Sequence, residues 1–188
     1  MSLTRLDVVY LGWGEQWTLG RLADVSGRLL FEYSAAAMAR GLQMAPLYET
    51  VLLATARITG DYRETCEAFS RCVFNVLTHN RDDHAKNFAY RMDREGRWRL
   101  TPAFDLNFSF GPGGQHSTSV AGEGAAPGRE QLLQVARRAG VKINDALDCI
   151  DHWRELLQPR PHLLRDLPVR RATLADIRKS LTAVWSKL

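Results

Sequence analysis

Between residues 62 and 77 apolar side chains return at every third or fourth position. Tyr62, Cys66, Phe69, Val73, Val76 and Leu77 fall on one stripe, which predicts an amphipathic helix ending near Thr78-His79-Asn80. Residues 5–33 follow a different rhythm. Leu6, Val8 and Tyr10 mark a first strand, Gly12-Trp13-Gly14 a turn, and Trp17, Leu19 and Leu22 a second strand. Ser26-Gly27 is a further turn before a third strand, Arg28 to Tyr33. Ser34 is placed to cap a short helix, Ala35 to Ala39, stopped by Gly41. Pro46 to Glu49 reads as a junction, and Thr50 to Arg57 as a short apolar stretch broken by Gly60.

Beyond the polar cluster Arg81-Asp82-Asp83-His84, Phe88 to Met92 and Arg97 to Leu100 read as a hairpin turning at Asp93-Arg94-Glu95-Gly96. Asn107 to Gly114 is loop, and Gly122 to Gly128 is a second glycine-rich connection. Helices are predicted from Arg129 to Ala139, stopped by Gly140, from Asn144 to Leu157, broken by Pro159 and Pro161, and from Leu174 to Val184. The expected fold is α+β: a small N-terminal β meander packed on a mainly α-helical domain.

With 45% hydrophobic and 24% charged residues, the 188-residue chain has the balance of a soluble globular protein, which argues against disorder. No apolar run approaches the roughly 20 residues of a membrane-spanning helix. Met1 to Asp7 carries no secretory pattern, so a cytoplasmic protein without a membrane partner is expected. Cys66, Cys72 and Cys149 form no C-x-x-C and are expected as buried free thiols. The net charge of +4 is concentrated beyond residue 159. There Arg160, Arg165, Arg170, Arg171, Arg178, Lys179 and Lys187 oppose only Asp166 and Asp176. Such a tail suits an acidic partner or nucleic acid, or is simply a solvated helix face.

The stretch with chemistry in it is His79 to Phe88. Asp82 and Asn87 stand five positions apart in one loop, and Asp105 follows the predicted hairpin 18 residues after Asn87. Phosphoryl transfer uses a carboxylate to orient the attacking hydroxyl, with carboxylate and amide oxygens to hold magnesium near the phosphates. Asp82, Asn87 and Asp105 have the spacing of that arrangement, although Asp, Asn and His also gather in ordinary surface loops. A metallohydrolase cluster of His79, Asp82, Asp83 and His84 is a weaker reading, because two histidines five apart on a loop are no standard ligand set. The glycine-rich runs after Asp105 lack the G-x-x-x-x-G-K-[ST] pattern and read as flexible connections. Trp13, Trp17, Trp98, Trp153 and Trp185 are scattered, which favours packing over a stacking surface for nucleic acid.

The string Phe74-Asn75-Val76-Leu77-Thr78-His79-Asn80-Arg81-Asp82-Asp83-His84-Ala85-Lys86-Asn87-Phe88 closely resembles the catalytic loop of HipA-type serine/threonine toxin kinases. Arg99 to Leu106 resembles their metal-binding motif. His116 to Gly122, Leu132-Leu133 and Ala136 to Val141 resemble the segment that follows. Residues 1–50 resemble the family's N-terminal subdomain, and residues 51–188 its kinase C-lobe-like helical domain. The resemblance implies a catalytic base at Asp82, Mg2+ ligands at Asn87 and Asp105, and lesser roles for His84 in orienting the loop and Lys86 in contacting phosphate of ATP. Asp83 reads as a solvated position. The implied setting is a type II toxin–antitoxin system, with a small helix-turn-helix (HipB-like) antitoxin as partner and DNA contacted only through it.

One departure weighs against a complete kinase. In the family a glycine-rich phosphate loop, a nucleotide-binding lysine and a hinge lie between the N-terminal subdomain and the catalytic-loop helix. Here Pro46-Leu47-Tyr48 runs almost directly into Gly60-Asp61-Tyr62, and no lysine occurs between Met1 and Arg81. The expectation is therefore a phosphotransferase incomplete as an isolated chain, or a catalytically inactive remnant that binds an antitoxin. Apolar surface left uncovered by an absent lobe favours a homodimer.

Overall fold

The computed structural model describes residues 5–12, 15–25, 28–39, 47–157 and 169–188. The architecture is mixed α+β and divides into two compact units, Met1–Met44 and Ala45–Leu188. The first holds β1 (Arg5–Gly12), β2 (Glu15–Val25), β3 (Arg28–Tyr33) and α1 (Ala35–Ala39). The three strands form an antiparallel meander in the order β1-β2-β3, with a register shift between Val8 and Val9. Ser34 caps α1 through its hydroxyl, which accepts from the Ala37 N–H at 3.0 Å. The turns at Trp13-Gly14 and Ser26-Gly27, the Gly41 stop and Pro46 lie outside the described residues, as do Pro159, Pro161, Arg160, Arg165 and Asp166.

The second unit is built around α3 (Tyr62–Leu77). Ala68, Phe69, Cys72, Val73, Val76 and Leu77 are buried on it. Around it pack α2 (Tyr48–Thr59), α4 (Arg129–Arg138), α5 (Ile143–Leu156), α6 (Arg171–Trp185) and β5 (Trp98–Leu100), the partner of β4 (Tyr90–Met92). Surrounded on several sides, α3 buries more than the single stripe that its apolar spacing implies, and Thr65, Arg71 and Asn75 go under with it. Arg71 is supported by Glu67 at 2.9 Å and the Thr101 carbonyl at 2.7 Å. Asp61 starts the helix by accepting from the Arg63 N–H at 2.9 Å.

Thr50 to Arg57, read only as a short apolar stretch, lies inside helix α2, which starts at Tyr48. Tyr48 and Glu49, read as junction, are buried within it, and Gly60 closes it at φ 63°, a left-handed conformation that glycine adopts without strain. Tyr48 is held by the Ser119 carbonyl at 3.1 Å, a long-range partner invisible to local periodicity. The tryptophans of this unit differ in role. Trp153 donates to Ser70 Oγ at 2.8 Å and packs edge-on against Phe74, and Trp185 donates to the Leu77 carbonyl at 3.1 Å. Trp98 stays 42% exposed. All three cysteines are free thiols, but only Cys72 is fully buried. Burial pushes the Cys149 thiol up to about 11. Among the described residues no helix is long and apolar enough to cross a membrane.

Candidate functional site

Where α3 ends, the chain turns sharply. His79 takes φ 57°, and its N–H still reaches back to the Val76 carbonyl at 3.2 Å. Among the described residues only His79, Asp105 and Ala121 are non-glycine positions with positive φ, so two of the three flank the predicted site. Strained backbone of this kind is kept only where surrounding contacts hold it. Here they do. His79 Nδ1 donates to the Ser109 carbonyl at 3.1 Å, and its ring stacks on Phe108 at 5.0 Å. Burial, with Arg81 nearby, lowers the pKa of that imidazole and favours its neutral form.

Asp82 and Asn87 belong to one closed loop. Ala85–Asn87 forms a single 3-10 turn, and Asn87 Nδ2 donates to the Asp82 carbonyl at 2.9 Å. That bond fixes the amide so that Asn87 Oδ1 is the free oxygen. The Asp82 carboxylate is about half exposed, with His84 Nε2 4.0 Å from its Oδ1, and His84 Nδ1 is buried without a partner. Lys86 is exposed on the 3-10 turn.

Asp105 is joined to this loop through the backbone. Asn80 Nδ2 donates to the Asp105 carbonyl at 3.4 Å and to Asn75 Oδ1 at 3.0 Å, while Asn80 and Ser109 form a parallel β-bridge. At φ 55° Asp105 occupies the left-handed region, which aspartate tolerates better than most residues. Its Oδ1 accepts from Asn107 Nδ2 at 3.2 Å.

The reading of Asp83 as solvated is corrected. Its side chain is fully buried and accepts from the Tyr48 hydroxyl at 2.7 Å, His116 Nδ1 at 2.8 Å and the Thr118 N–H at 3.2 Å. A carboxylate in a polar run is no sign of exposure when donors from α2 and the 116–118 segment converge on it. Asn75 Nδ2 donates to the Tyr48 hydroxyl at 2.9 Å. A buried chain of hydrogen bonds thus runs from His116 through Asp83, Tyr48, Asn75 and Asn80 to the Asp105 carbonyl. Burial and the neighbouring Asp83 raise the Tyr48 pKa well above that of a free phenol, so it remains a donor. The sequence assigns no role to Tyr48, Asn75, Asn80, His116 or Thr118. Asn75 is a polar residue inside an apolar helix, and His116 and Thr118 stand out only through the family resemblance of residues 116–122.

The donor chemistry suits a hard divalent cation. Asn87 Oδ1 and the Asp105 carboxylate could offer oxygen donors, and magnesium is commonly held by one or two such groups, with phosphates completing its shell. Among the described residues no three His, Cys, Asp or Glu side chains form a group able to hold a metal ion.

A family model described as the HipA-like C-terminal domain matches residues 21–159. The chain belongs to this family. The match begins within β2 and runs just past α5. Among solved structures, the HipA chain of a Shewanella oneidensis MR-1 toxin–antitoxin complex of HipA, HipB and operator DNA has this fold, with a TM-score of 0.60 at 14% identity. The alignment covers 98% of this HipA-like chain and 51% of the Shewanella HipA, so this chain spans about half the length of that neighbour. A comparison with curated proteins found no match.

Proposed function

We propose that this HipA-like chain is the catalytic-loop half of a serine/threonine phosphotransferase of a toxin–antitoxin system. Two hydrogen bonds around the Asp82–Asn87 loop support this reading. Asn87 is bonded to the Asp82 carbonyl, and Asp105 is tied to Asn80 at the base of the same loop. Asp82 is the exposed carboxylate that orients a substrate hydroxyl and accepts its proton. Asn87 and Asp105 would hold Mg2+, which when bound would supply positive charge to the phosphates of ATP. His84, beside Asp82, keeps the loop in place, and Lys86 is available to a phosphate oxygen.

Most of the catalytic effect in phosphoryl transfer comes from positioning and from stabilising charge on the transferred group. No lysine precedes Lys86, so the cation that the family resemblance places ahead of α3 is not in that stretch. Full activity therefore depends on a phosphate-binding element contributed from elsewhere. The same missing lysine favours a second reading, in which the chain keeps only a binding role toward a HipB-like helix-turn-helix protein and reaches DNA through it. The Shewanella HipA is found in a complex with HipB and operator DNA.

Thermal unfolding with and without millimolar Mg-ATP tests the first reading. A ligand present at 100 times its Kd and bound only to the folded state stabilises it by about 2.7 kcal/mol, and at this chain length that moves the Tm upward by several degrees. The expected result is an upward shift that Asp105→Asn abolishes. No shift in the wild type would leave the partner-binding reading standing alone.

A further inference from the structure

A cavity of about 400 Å3 opens between α6, the Ala125–Pro127 segment and the turn carrying His79 and Arg81. Neither Asp82, Asn87 nor Asp105 lines it, so it is separate from the candidate metal site. Its walls carry three cations, Arg81, Lys179 and Lys187, against one carboxylate, Asp176. Two of the cations belong to the basic C-terminal stretch, so this part of the stretch borders a concave site as well as solvent.

Among the described residues, none of the three cations has an ion-pair partner within 4.0 Å. Arg81 donates instead to the carbonyls of Gly114 and, at 2.6 Å, Ala125, and its Nε is buried without an acceptor. The loop that receives it is built for close approach. Gly111 sits at φ 71°, and a Cβ there would fall 2.6 Å from Arg81 Cβ and 2.0 Å from the Gln115 carbonyl oxygen. Among the described residues Lys187 Nζ makes one long hydrogen bond, 3.5 Å to the Ala126 carbonyl, and Lys179 Nζ makes none. Three cations against one lining carboxylate leave a net positive potential in the concavity that an anion relieves, with Asp83 attracting Arg81 and Glu123 attracting Lys187 from outside the lining.

The remaining wall is apolar. Phe110 lines the cavity with 55% of its surface exposed, and Val184 and Pro127 flank it. The volume is in the range of small-molecule sites, which combine apolar walls with a few placed polar groups. A phosphate monoester carries close to two negative charges at neutral pH, which matches three cations offset by one carboxylate. We propose that this cavity binds a small molecule bearing a phosphate monoester on an aromatic or heterocyclic ring. Lys179 and Lys187 take the phosphate oxygens as point charges, with the Ser180 hydroxyl as a further donor, and Arg81 contributes its charge while its N–H groups hold the loop. Phe110 takes the ring.

Phenyl phosphate is the probe, titrated into the full chain in EDTA without nucleotide and followed by amide chemical shifts. Saturable binding is expected. Lys179→Ala and Lys187→Ala together should weaken it by at least about tenfold, since hydrogen bonds to charged groups are the stronger ones. Asp176→Asn should tighten it, and Phe110→Ala should bring phenyl phosphate down to the affinity of inorganic phosphate. All four side chains are exposed, so the fold should survive, as circular dichroism would verify. Asp105→Asn should leave binding unchanged, which keeps this result separate from the kinase reading. Absence of saturation, equal affinity in the double lysine variant, no tightening in Asp176→Asn, or loss of binding in Asp105→Asn would each overturn the proposal.

Discussion

His116 Nδ1 donates to Asp83 Oδ2 across 2.8 Å, and neither side chain is more than 1% exposed. The contact fastens the segment after Asp105 to the residue next to Asp82. The Tyr48 hydroxyl and the Thr118 N–H complete the acceptor demands on the same carboxylate. The candidate base therefore rests on a buried polar network while its own carboxylate faces solvent.

Asp83→Ala leaves the Tyr48, His116 and Thr118 donors buried without their acceptor. Leaving buried donors without their acceptor costs about 1–3 kcal/mol. Urea unfolding should show the midpoint falling with the m value unchanged, and Asp83→Asn should lie between the two. A change within about 0.5 kcal/mol, as at an ordinary surface site, would mean that the network does not hold the loop.

Stability should fall in acid partly through Asp61. Arg63, through its side chain and its backbone N–H, lowers the Asp61 pKa to about 2 from the ordinary 3.8. A group whose pKa is depressed by folding contributes stability that is fully present above its unfolded pKa and is lost as pH falls through the folded one. The window is therefore roughly pH 4 down to 2. Asp61→Ala should lower the Tm at neutral pH, through loss of the α3 cap, and should flatten the acid limb of a Tm–pH profile. An acid limb identical to the wild type would contradict this.

Apolar side chains remain open on α2 and on the hairpin packed against it. Leu53 is 51% exposed, Ile58 40%, Met92 57% and Trp98 42%. Exposed surface of this kind favours association, and the expected outcome in light scattering is a mass that rises with concentration and falls back in Leu53→Glu or Trp98→Arg. A monodisperse monomer at all concentrations would remove the homodimer expectation.

Local pattern made α3, α4, α5 and α6 legible. The α3 stripe, the Gly60 and Gly140 stops and the Asp93–Gly96 turn are all short-range signals. The Asp82–Asn87 spacing was legible for the same reason, since one 3-10 turn closes it. What the sequence concealed was long-range. Tyr48 bonds to Ser119, 71 positions away, so α2 begins inside a stretch that reads as junction. Asp83 meets His116 and Thr118 from a loop with no periodic pattern, and a polar residue type does not say which way it faces. Lys179 and Lys187 looked like part of a solvated basic tail because nothing local places Arg81 and Phe110 beside them.

The proposed function requires Asp82, Asn87 and Asp105 to act as one metal-phosphate half-site. Paramagnetic broadening by Mn-ATP is the sharpest test, with amide and side-chain resonances read in the wild type and in Asp105→Asn. Signals of the Asp82–Asn87 loop and of Asp105–Asn107 should broaden together at substoichiometric Mn2+, and Asp105→Asn should abolish the effect at both segments. Broadening confined to surface carboxylates such as Asp93 and Glu95, or unaffected by Asp105→Asn, would contradict it.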